Sequence, residues 1–173
     1  MNRFLVTAAT IAALAFTPLA AEAKSAFKAC KRVDAVQFNG TIVEAALATQ
    51  ALSTLADLVI AANLVDALNA PGDLTVFAPT NDAFAAIPEP VLNAIGSDVD
   101  VLTAVLTYHV VAESERPRKF RRANEVESLA GQALFINVDR GGVRVNQSNV
   151  DCQAVETTNG TVWVIDSVLL PQF

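Results

Sequence analysis

The hydrophobic period of this chain changes once along its length, and that change limits the fold more than any other feature. From Thr41 to Asn69 the apolar residues recur at helical spacing, as in Ile42, Ala45 and Ala46 and again in Leu55, Leu58, Val59 and Ala62. Pro71-Gly72-Asp73 breaks that pattern, and Leu74-Thr75-Val76-Phe77-Ala78 has the β-branched and aromatic character of a short buried strand. A further helix is predicted beyond Pro79, where Thr80 or Asn81 caps the free N–H groups and Asp82 sits favourably against the helix dipole. Pro88 and Pro90 mark another start, Gly96 a stop, and Asp98 or Asp100 opens an amphipathic stretch that runs to Tyr108. Beyond that the period is two. Ala133 to Val138, Val143 to Asn146, Val150 to Val155 and Thr161 to Leu170 read as strands, with residues 139–142 and Asn159-Gly160 as hairpin turns. Helices followed by strands imply an α+β domain.

Its 173 residues suit one domain behind a removable leader. Residues 1–23 read as a secretory signal peptide: Arg3 supplies the positive start, Phe4 to Phe16 is almost wholly apolar, and Ala21-Glu22-Ala23 offers small residues for cleavage. Thr7, Thr10, Thr17 and Pro18 leave too short an apolar run for the ~20 residues a bilayer span needs. The expected product is therefore free in the periplasm or outside the cell. An N-terminal segment over 24–38 would precede a domain over 39–173. Cys30 and Cys152 are the only cysteines. An even pair in an exported chain is most simply a disulfide, here tying the N-terminal segment to the late sheet; two separately buried thiols are the alternative. Closing so long a loop is worth about 4–5 kcal/mol in the chain-entropy model.

The net charge of −6 argues against nucleic acid as a partner, since a polyanion is attracted by clustered Lys and Arg. Catalytic signatures are missing too. The chain has no Gly-x-Ser-x-Gly elbow, no Gly-rich phosphate loop, no His-Glu-x-x-His and no metal-spaced His/Cys cluster, and His109 is its one histidine. A Ser-His-Asp arrangement of His109 with Asp82 or Asp166 is arithmetically open, but no serine stands in a nucleophile context. Neither a metal nor a cofactor is expected.

Three stretches carry a likeness: Thr75-Val76-Phe77-Ala78-Pro79-Thr80-Asn81-Asp82-Ala83-Phe84, Tyr108-His109-Val110-Val111, and Asn159-Gly160-Thr161-Val162-Trp163-Val164-Ile165-Asp166-Ser167-Val168-Leu169-Leu170-Pro171. In that order and spacing the chain resembles the fasciclin, or FAS1, family from about Gly40 to Pro171. The resemblance implies helices packed around a small wedge-shaped β-sandwich, with the first and last stretches side by side. It also implies that Thr80, Asn81, Asp82 and Asp166 hold the fold, since a buried polar group needs a partner. His109 becomes a packing and hydrogen-bonding residue beside Tyr108. In some animal members the Tyr-His region is associated with integrin adhesion, which makes Tyr108 and His109 candidate partner-binding residues. The acidic-Pro-Asp-Ile motif of those members is replaced here by Glu89-Pro90-Val91-Leu92.

The least ordinary segment of this acidic chain is Arg116-Pro117-Arg118-Lys119-Phe120-Arg121-Arg122. Arg116, Arg118, Lys119, Arg121 and Arg122 on one connection are suited to sulfated or carboxylated polysaccharide, lipid head groups or an acidic protein, or form a solvated loop. The sequons at Asn39, Asn146 and Asn159 read as incidental beside a bacterial-looking leader. The resulting expectation is a secreted, non-catalytic fasciclin-type cell-adhesion or extracellular ligand-binding protein. Its partners would be extracellular polysaccharide, matrix or cell-surface protein. The alternative is a periplasmic carrier of a small lipophilic ligand held between helices and sheet.

Overall fold

A computed structural model describes residues 34–113, 124–139 and 142–172. The leader, Cys30 and the basic run 116–122 lie outside the described residues, as does the side chain of Cys152, so the expected disulfide lies outside them too.

The helical half begins at α1 (Ile42–Ala48), whose first turn is held by a reciprocal cap. The Thr41 hydroxyl accepts from the Glu44 amide at 3.3 Å, and the Glu44 carboxylate accepts from the Thr41 amide at 2.8 Å. A 3₁₀ turn leads into α2 (Ser53–Ala61), followed by α3 (Val65–Asn69), β2 (Leu74–Pro79) and α4 (Asn81–Ala85). Of the two expected caps for α4, Thr80 is the one used: its hydroxyl accepts from the Ala83 amide at 3.2 Å. Next come α5 (Glu89–Ser97) and α6 (Val99–Tyr108). Asp98 caps α6, accepting from the amides of Asp100 and Val101. Gly96 stands inside the last turn of α5.

The remaining strands are β1 (Val36–Gln37), β3 (Val110–Val111), β4 (Asn124–Glu127), β5 (Ala133–Asp139), β6 (Gly142–Val145), β7 (Ser148–Thr157) and β8 (Gly160–Ile165). Among the described residues these eight strands form one sheet in the order β3-β2-β8-β7-β6-β5-β4, with β1 added in parallel to β7. β2 and β8 lie side by side and parallel, from Leu74 opposite Gly160 to Pro79 opposite Ile165, which joins the first and last of the family-like stretches. A single bridge from Val111 to Ser128 brings the two ends of the strand order together. The sheet therefore curls around an interior. β1 and β4 were not expected. The last strand is also shorter than expected: it stops at Ile165, and at the next pair the Asn149 amide donates to the Asp166 carboxylate at 2.9 Å, a side-chain bond in place of a ladder bond.

Strand alternation divides the apolar residues between two cores. On β2 and β8, Val76, Ala78 and Val162 face the helices and join Leu55, Val59, Phe84, Leu102 and Leu106. Phe77, Trp163 and Ile165 face the other way, into the curled sheet, with Leu134, Ile136, Val145 and Leu169. Among the described residues no single helix is long and apolar enough to cross a membrane.

Candidate functional site

His109 caps the C-terminal end of α6, where helix, sheet and the final segment meet. It is 2% exposed, and both ring nitrogens are engaged by main chain. The Leu169 amide can only donate, so Nε2 accepts from it at 2.9 Å, and Nδ1 then carries the proton given to the Val105 carbonyl at 2.7 Å. Burial lowers the pKa to about 4, only partly offset by the Val105 carbonyl, and the imidazole is neutral. Neither nitrogen is left to take a proton from a nucleophile, and neither meets Asp82 or Asp166. Tyr108 is turned inward as well, at 6% exposure. Its hydroxyl donates to the Ala133 carbonyl at 3.1 Å and accepts from Asn146 Nδ2 at 2.9 Å. The expectation that Tyr108 and His109 form a contact surface is corrected on this point: their polar atoms face into the fold, bonded to its own main chain and to Asn146.

The four motif residues divide by environment. Thr80 caps α4, whereas Asn81 crosses to the start of α2, donating to the Gln50 carbonyl at 3.0 Å and the Ser53 hydroxyl at 3.1 Å and accepting from the Thr54 amide at 3.0 Å. Asp82 is exposed in the first turn of α4. Asp166 is exposed too, which corrects the expectation of a buried carboxylate. Partial desolvation would raise its pKa, but bonds from the Asn149 side chain and amide and from the Ser167 hydroxyl outweigh it and hold the carboxyl below its ordinary value. Sequence reasoning missed Asn159, which is 4% exposed. It accepts from the Ile42 amide at 3.0 Å and donates to the carbonyls of Leu68 and Ala70 at 2.7 and 3.2 Å, so one side chain ties the β7–β8 turn to α1 and the end of α3. Its Asn-Gly dipeptide signalled a turn and concealed this role.

Between α2, α4, α5 and α6 lies an apolar cavity of about 180 Å³. Phe84, Val105, Leu106 and Val168 are buried in its wall, and the half-buried Leu58, Ile87 and Leu92 stand at its edge. His109 and Thr54 are the polar residues that line it. A smaller space of about 50 Å³ adjoins His109 on the side of α1 and α3.

Charge is divided as sharply as the core. Residues 33–115 contain neither Lys nor Arg. The acidic side chains of the helical half, including Asp57, Asp66, Asp82, Glu89, Asp98 and Asp100, are exposed. The average composition hid this segregation. Among the described residues no group of three or more His, Cys, Asp or Glu side chains gathers to hold a metal ion.

Residues 50–171 match the family model described as the Fasciclin domain. Over 137 residues the chain is 47% identical to Protein sll1483 of Synechocystis, covering 76% of this chain and 73% of that protein. It is 41% identical to Immunogenic protein MPB70 of Mycobacterium bovis, covering 63% of this chain and 55% of that relative. It is 39% identical to Cell surface glycolipoprotein MPB83 of the same species, covering 63% of this chain and 48% of that relative. The chain thus spans about half the length of those two mycobacterial proteins. The solved FAS1 domain pair from the insect cell adhesion molecule Fasciclin I superposes with a TM-score of 0.58 at 22% identity, over 69% of this chain and 45% of that one. That likeness shows the fold, which is FAS1.

Proposed function

This chain belongs to the fasciclin domain family, and from that premise we propose that it is an extracellular, non-catalytic binding protein that acts through its surface in adhesion. The partner class is an anionic extracellular polysaccharide, or a matrix or cell-surface protein with an acidic face. The observation that carries this reading is the segregation of charge: with no Lys or Arg between residues 33 and 115, the helical half repels a polyanion, and the cluster Arg116, Arg118, Lys119, Arg121 and Arg122 is the place to meet one. The interior supports the same reading, since the polar groups of His109, Tyr108 and Asn159 are committed to main-chain partners and to Asn146, and leave no free buried acid or base among the described residues. Relatives named as an immunogenic protein and a cell surface glycolipoprotein, and the fold of an insect cell adhesion molecule, accord with exposure outside the cell.

The test is retention of the purified protein on immobilised sulfated polysaccharide and on extracellular matrix across a salt series, beside a variant with the five basic residues changed to Gln. Binding that weakens with salt and is lost in the variant is expected. Equal retention of both proteins, or of neither, overturns the reading.

A further inference from the structure

The helix-side cavity has a size and a chemistry that select an occupant. Protein interiors are packed to the density of organic crystals, and a void lined by carbon forfeits the dispersion contacts a neighbour would supply. At about 180 Å³ this one is as large as the dry engineered cavities of about 150 Å³ that take up benzene. Its lining offers almost no hydrogen bonding. The His109 nitrogens are already bonded to Val105 and Leu169, so the imidazole contributes ring surface only, and Thr54 is half-buried at the edge. The helices that wall it carry Asp57, Asp82, Glu89, Asp98 and Asp100 outside and no cation. A carboxylate is therefore repelled from this face and an amine is not.

We propose that the cavity between α2, α4, α5 and α6 is a binding site for a small monocyclic ring compound, neutral or amine-bearing, that enters past Leu58 and Leu92. The ring fills the space against Phe84, Val105 and His109, and any polar substituent stays at the Thr54 edge. The site makes no use of the basic segment, so one can fail without the other.

Titration of the full chain with toluene, benzylamine and benzoate, followed by protein NMR shifts, tests it. Toluene and benzylamine are expected to saturate, shifting the resonances of Val105, Leu106 and Val168, and benzoate to bind roughly tenfold more weakly. Leu58→Phe fills the space and is expected to weaken toluene roughly tenfold, while Leu92→Ala enlarges it and swings preference from toluene towards naphthalene by a similar factor. Absence of saturable binding by toluene, or binding that both variants leave unchanged, overturns the site. Benzoate bound as tightly as benzylamine overturns its charge preference. Should Leu58→Phe fail to fold, the change of ring preference in Leu92→Ala decides alone.

Discussion

Acid is expected to unfold this protein through one residue first. In the unfolded chain His109 takes up a proton near its ordinary pKa of about 6.5. In the folded protein it does so only near about 4, because the ring is fully enclosed and Nε2 is occupied by the Leu169 amide. Between those values the unfolded chain binds one more proton than the folded one, so stability is complete above about pH 6.5 and is lost as pH falls towards 4. One pKa unit corresponds to about 1.4 kcal/mol, so the whole window is worth about 3 kcal/mol. Asp166 has the same sign, but its carboxyl lies below the ordinary carboxylate range, and its contribution disappears only at lower pH. Between pH 6.5 and 5 the slope therefore belongs chiefly to His109. Urea unfolding followed by the fluorescence of the single tryptophan, the buried Trp163, measures it. His109→Gln keeps an amide that can donate and accept but cannot titrate. The variant is expected to be less stable at pH 7, to be nearly flat down to pH 5, and to converge with the parent protein as acid is added. Parallel curves for the two proteins would refute the assignment of a neutral, enclosed imidazole.

Asn159→Ala is expected to cost about 2–4 kcal/mol, because it strands the Ile42 amide and the Leu68 carbonyl away from water; a shift in the urea midpoint at unchanged slope checks it. Gly160→Ala is expected to lose about 3 kcal/mol or more, since a Cβ there collides with the Leu74 carbonyl oxygen and the Ile42 side chain at the first rung between β2 and β8; a fully native melting curve would contradict that packing. Asn81→Ala is expected to cost about 1–2 kcal/mol by freeing the Thr54 amide, the Gln50 carbonyl and the start of α2. Asp82→Asn, beside it but exposed, should stay within about 0.5 kcal/mol in the same thermal scan.

What the sequence disclosed and what it withheld follow from the range of the interactions involved. Helical spacing from Thr41 to Tyr108 and alternation after Ala133 are local signals, and the elements lie where those signals place them. β4 escaped because Asn124-Glu125-Val126-Glu127 offers one apolar residue for a period to register, and β1 because a pair of residues has no period. The last strand was drawn too long since Val168 and Leu169 are buried and continue the apolar pattern after the chain has turned at Asp166. Tyr108 and His109 stood as candidate partner-binding residues because the resemblance to adhesive animal members implied it. The groups that draw them inward, Ala133, Asn146 and Leu169, are remote in sequence. The cavity was beyond reach altogether: periodicity tells which faces point inward, not how completely opposing side chains fill the space between them.

The buried polar residues and the β3–β4 corner of the sheet constrain the chain in different ways. His109 and Asn159 each join segments far apart in the chain, so altering either disturbs α6 and the final segment together, or the β7–β8 turn and α1 together. The described residues on either side of 112–127 are held differently. The Val111–Ser128 bridge and the bond from the Leu129 amide to the Val110 carbonyl at 2.7 Å fix both ends of that stretch to the same corner of the sheet. Because Val111 and Ser128 are held together, the entropy of closing a chain segment between them grows only slowly with its length. The five basic residues fall between these two points in the sequence, in a chain with no Lys or Arg from residue 33 to 115. The buried network has no such latitude, since His109 and Asn159 each hold two distant segments of the FAS1 fold together.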